Sequence, residues 1–113
     1  MSVLISRLTW TIANAAALSD AIELANYTPC IIEMPTAWTA ANLTFQGSSD
    51  NVTYFNLCDS SGAEILIAGA ALQRIVLGST HFHTHKYLKI RSGTYASPVN
   101  QGAERTIYLE LWE

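Results

Sequence analysis

The stretch that most constrains the fold lies in the middle of the chain, at residues 42–55. Leu43 and Phe45 alternate there with Asn42, Thr44 and Gln46, the two-residue period of a strand with one buried face. Val52, Tyr54 and Phe55 resume the β-prone run after Gly47, Ser48, Ser49, Asp50 and Asn51, a cluster with hairpin-turn chemistry. The centre therefore predicts two antiparallel strands joined by a polar loop. That loop is the first place to look for an outside contact, and its residues carry no catalytic pattern.

The rest of the chain reads the same way. Residues 2–12 alternate, with Leu8, Trp10 and Ile12 on one face and Arg7, Thr9 and Thr11 on the other. Their first part, residues 1–7, doubles as a candidate interaction arm, because termini are ordered only when tied down. Residues 13–26 have helix propensity in their alanines, but residues 19–24 also alternate, and a strand is expected there. Residues 29–34 form a short apolar run closed by Pro35, and residues 36–41 are a small-residue crossing around Trp38. Further strands are expected at 64–67, 73–77 and 81–91, after a turn at Asp59, Ser60, Ser61 and Gly62. The last strand, residues 106–112, points Ile107, Leu109 and Leu111 one way and Tyr108, Glu110 and Trp112 the other. Eight or nine short strands with regular turn signals predict an all-β, antiparallel, jelly-roll-like β-sandwich in one domain spanning residues 1–113.

Composition then bears on how such a domain meets its surroundings. Half of the residues are apolar and 13% are charged, about half the ~25% usual for soluble domains. A small fold leaves a large share of its surface exposed, so part of this apolar surface is expected to be covered by other copies or partners. The net charge is −3, and the six Lys and Arg do not cluster. Without a basic stripe, neither nucleic-acid binding nor recruitment to an anionic membrane is expected. No apolar run nears the ~20 residues that span a bilayer, and no leader pattern opens the sequence. Synthesis and folding in a reducing cytoplasm are expected, with Cys30 and Cys58 as free thiols. The N-x-Thr triplets at Asn26, Asn42 and Asn51 read as Thr-rich strands beside Asn-rich turns.

Several segments carry a resemblance. They are Leu18-Ser19-Asp20-Ala21-Ile22-Glu23-Leu24, then Met34-Pro35-Thr36-Ala37-Trp38-Thr39-Ala40-Ala41 running on to Ser48, and finally Tyr87-Leu88-Lys89-Ile90-Arg91-Ser92-Gly93-Thr94 with Pro98-Val99-Asn100-Gln101. In their order and spacing these resemble small β-sandwich proteins encoded among the virion structural genes of tailed bacteriophages. The resemblance implies a jelly-roll-like virion part: a capsid decoration or cement subunit, or a tail-fibre or baseplate piece. Its partners would be copies of itself and other virion proteins such as the major capsid protein. Its place would be the virion, assembled in the host cytoplasm. The segment 81–85 is not part of the resemblance.

Candidate chemistry is sparse. His81, His83 and His85 would share one face of a strand, ~6.6 Å apart, so two of them could ligate one zinc or nickel ion. Three copies about a three-fold axis would complete such a site, although incidental histidines at an exposed edge explain the pattern too. No nucleophile elbow, ordered triad, phosphate loop or dinucleotide fingerprint occurs; no catalytic residue and no cofactor is expected, and the chain is read as a non-enzyme. Trp10, Trp38, Tyr108 and Trp112 are the interface candidates. The same aromatic rings could stack on sugars, so a carbohydrate-binding adsorption module that takes a host glycan is the alternative.

Overall fold

The computed structural model describes residues 5–25, 27–78, 82 and 85–112. Eight strands form along them: β1 (Ile5–Ile12), β2 (Ile22–Glu23), β3 (Thr28–Glu33), β4 (Leu43–Ser48), β5 (Phe55–Asn56), β6 (Arg74–Val76), β7 (Tyr87–Ser92) and β8 (Arg105–Trp112). They make two four-stranded sheets, a first in the order β1-β8-β3-β6 and a second in the order β2-β7-β4-β5. Every ladder is antiparallel. The pairs β1·β8, β2·β7, β3·β6 and β4·β5 make the chain one long hairpin, turned at residues 49–54. That hairpin is rolled up until β8 also meets β3 and β7 also meets β4. The result is the expected antiparallel jelly-roll sandwich.

Alternation decides which side chains go between the sheets. Trp10 and Ile12 from β1, and Ile107, Leu109 and Leu111 from β8, face Leu43 and Phe45 of β4 and Leu88 and Ile90 of β7. All of these are buried. The Trp10 indole sits 6.3 Å from the Phe45 ring, and Phe45 meets Phe82 edge-on at 4.8 Å. Because the indole N–H of Trp10 donates to the Leu88 carbonyl at 3.0 Å, the largest core side chain also ties the first sheet to the second.

Five expectations need correction. Residues 19–24 contribute only the two-residue β2, with an isolated bridge from Leu18 to Arg91. The chain is crossing between sheets here, and Ala15 turns at φ 63°. Residues 64–67 form no strand, only single bridges from Glu64 to Cys58 and from Ile67 to Leu43. The Asp59 carboxylate caps the N–H groups of Ser61 and Ala63, a tight turn that stops the ladder after one rung. Val52 and Thr53 lie outside β5 because their N–H groups are held by the Asp50 carboxylate. Residues 5–7 are no arm: Ile5, Ser6 and Arg7 are in register with Trp112, Leu111 and Glu110 of β8, and the rest of the proposed arm lies outside the described residues. Of the strand expected over 81–91, Tyr87 onward forms β7, Phe82, His85 and Lys86 are not in a strand, and residues 81, 83 and 84 lie outside the described residues.

Candidate functional site

The outer face of the first sheet is built in rows by strand register. Arg7, Glu110, Ile31 and Val76 lie opposite one another across four strands, and Thr9, Tyr108, Glu33 and Arg74 form the adjacent row. Neighbouring rows bring two cations and two carboxylates together. Arg74 pairs with Glu110 at 2.9 Å and also with Glu33, while Arg7 pairs with Glu33 and lies 3.9 Å from Glu110. The Arg74 guanidinium holds the Glu110 carboxyl below the usual carboxylate range, and the Arg74 pKa is raised by its bonds to Glu110 and Glu33. The Arg7 guanidinium also covers the Tyr108 ring, 3.7 Å from its centroid. The charges of this face are thus satisfied within it. Its apolar members are not covered: Trp112 is 46% exposed and Val76 77%.

The outer face of the second sheet centres on Arg91, a buried arginine. Its guanidinium reaches Glu64 at 3.1 Å, Asn56 Oδ1 at 2.8 Å and Thr44 Oγ1 at 3.4 Å. The Tyr95 backbone N–H donates to the same Glu64 carboxylate, so one arginine gathers β4, β5, the 57–67 segment and the 93–98 turn. Beside it Gln46 stands in register with both Asn56 and Lys89. The Lys89 ammonium lies over the Tyr54 ring at 4.2 Å. Burial pushes the Tyr54 hydroxyl pKa up, reinforced by Tyr87 and Asp50 nearby.

The residues nominated from sequence scatter. Trp10 is fully buried, so it has no surface to offer a partner: its indole is an inter-sheet core group. Trp38 is half-buried and caps its own loop, donating to the Ala41 carbonyl at 3.1 Å. Tyr108 and Trp112 do share one outward face, the first sheet's. His81 and His83 lie outside the described residues. His85 is half-buried with its Nδ1 close to Gly47, where a Cβ would come within 2.9 Å. Among the described residues no three His, Cys, Asp or Glu side chains gather as a metal-ligand set.

The Arg91 cluster was not anticipated, because its partners are 27, 35 and 47 residues away in sequence. The available signal was an arginine on the polar phase of a strongly alternating strand. What both faces offer chemically is recognition: one combines neutralised charge with uncovered apolar groups, the other combines amides, cations and tyrosines. No family model and no curated protein matches the chain.

Proposed function

We propose that the chain is a non-enzymatic bacteriophage virion structural protein, a capsid decoration or cement subunit that binds copies of itself and the particle lattice. The observation that carries this reading is the first sheet's outer face. Its four charges pair among themselves, so covering it strands no ion, while Trp112 and Val76 stand open to be buried. The resemblance to virion β-sandwich proteins and the low charge content point the same way. The partners would be further copies, in a trimer or another closed ring, and the major capsid protein. Two experiments test it. Mass spectrometry of purified particles from the phage that encodes the chain should find it in many copies. Sedimentation of the purified protein should show self-association that weakens on Trp112→Ala with Val76→Ser. Absence from the particle would overturn the reading.

A second reading, an adsorption module that binds a host glycan, draws its support from the other face. There Tyr87 and the Gln46–Asn56 amide pair lie on the sheet itself, and half-buried Tyr54 and exposed Tyr95 flank it against Lys89 and Arg91. Tyrosine faces and amides are what sugar recognition uses.

A further inference from the structure

We infer that the outer face of the second sheet binds an acidic saccharide, a sugar bearing a carboxylate or a phosphate; this rests on the glycan reading above. The starting point is where the cations go. Arg7 and Arg74 end on the two carboxylates of the first sheet, Glu33 and Glu110, Arg91 ends on Glu64, and Arg105 is taken up by Gln101 and Thr39. Neither Lys86 nor Lys89 has a carboxylate within ion-pair distance among the described residues, in a chain whose net charge is −3, and Lys89 is the one inside the ladder of this face. Its ammonium is instead held over Tyr54, which fixes it on the face.

The neighbours of Lys89 complete a recognisable set. In register across β5, β4 and β7 run Asn56, Gln46 and Lys89, two amides and an ammonium in one rung. Tyr87 stands two residues before Lys89 on β7, and Tyr95, 67% exposed, stands beyond it beside Arg91. Sugar rings present an apolar C–H face to aromatic rings and a hydroxyl edge to amides. An acidic substituent would supply the anion that Lys89 lacks, as a charge-assisted hydrogen bond. A second copy of this chain fits less well, since burying this polar rung against an apolar surface would desolvate the ammonium and the amide groups that the Gln46–Asn56 and Arg91–Asn56 bonds do not use.

The test uses the intact chain in titration calorimetry against three probes: an oligoglucuronate, its carboxyl-reduced counterpart and a phosphorylated oligomannose. Binding to one or both acidic probes is expected, at least tenfold tighter than to the reduced probe and weakening as salt is raised. Lys89→Gln should weaken the acidic probe about tenfold, whereas Arg105→Gln, which removes the same charge from the first sheet, should not. Thermal unfolding of both variants checks that the fold is kept, and Lys89→Arg should retain binding. Binding of the reduced probe as tight as the acidic ones, or an unchanged Lys89→Gln, would overturn this inference and leave the glycan reading standing. No binding to any probe would overturn both. Binding of acidic peptides as tight as the acidic sugars would assign the face to a protein partner instead.

Discussion

Arg91 and Glu64 meet at 3.1 Å on the outer face of the second sheet, with only 6% of the arginine side chain reaching solvent. Removing one member of such a pair strands the other charge where water cannot compensate it. Glu64 keeps partial exposure, so the cost of Glu64→Gln or Arg91→Ala is placed at the lower end of the usual range, about 3 kcal/mol. Urea unfolding should report that loss. The paired replacement Arg91→Met with Glu64→Leu should cost clearly less than the two single changes added together, because it leaves no orphaned ion. Simple additivity would show that the pair is not coupled.

The same pair marks where the sequence stops being legible. Alternation in 106–112 and in the expected 81–91 strand marked β8 and, from Tyr87 onward, β7, and separated the two faces of each, because a half-buried strand writes its period directly into the chain. The central hairpin was legible for the same reason, and it proves to be the turning point of the whole rolled ribbon. The limits of β5 and the loss of a strand at 64–67 were not legible. Both were decided by side chains, Asp50 and Asp59, that cap backbone N–H groups and pull residues out of the ladder. Large aromatics suit both cores and surfaces, so the sequence leaves Trp10 open to either, and the packing of sheet on sheet puts it in the core.

Gly93 turns the chain after β7 at φ +88°, and a Cβ there would lie 2.6 Å from the Ser97 carbonyl oxygen and 2.7 Å from the Val99 nitrogen. Both obstacles are backbone and cannot swing aside. Gly93→Ala should therefore destabilise by more than 1 kcal/mol, whereas Gly78→Ala, with nothing within 4 Å, should be near neutral. Equal melting temperatures for the two variants would contradict the assigned turn.

Phe45 sits between Trp10 and Phe82 with no exposed surface. Truncating it opens a cavity among rings that cannot collapse freely, so Phe45→Ala should cost about 3–5 kcal/mol. Denaturant midpoints check this. A loss under ~1 kcal/mol would mean that the ring does not hold the sheets together.

The two thiols should react at different rates. Cys58 is exposed, whereas Cys30 is half-buried and donates its S–H to the Glu110 carbonyl at 3.1 Å. Burial pushes the Cys30 thiol pKa up, which lowers the thiolate fraction that reacts at neutral pH. A thiol reagent should label one site fast and the other slowly, and Cys58→Ser should abolish the fast phase. Loss of the slow phase instead would reverse the assignment.

Acid should weaken the fold through two separate carboxylates. The Arg74 guanidinium beside Glu110 holds its carboxyl below the ordinary range, and the N–H groups of Thr53 and Val52, with the Ser48 hydroxyl, do the same for Asp50. Each group binds fewer protons folded than unfolded as the solution turns acidic. Its stabilisation is therefore fully present above the unfolded carboxylate pKa and is lost as pH falls through the lower folded value. Urea midpoints should stay level from neutrality to about pH 5, where unfolded carboxylates begin to take up protons, and then fall. Salt separates the two contributions. At about 1 M the Debye length is ~3 Å, so the half-exposed quartet around Glu110 is screened, while the short bonds at Asp50 are far less affected. Glu110→Gln should thus flatten the acid limb in low salt and change it little in high salt, and Asp50→Asn should flatten it in both. An acid limb indifferent to both substitutions would remove these two groups as its cause.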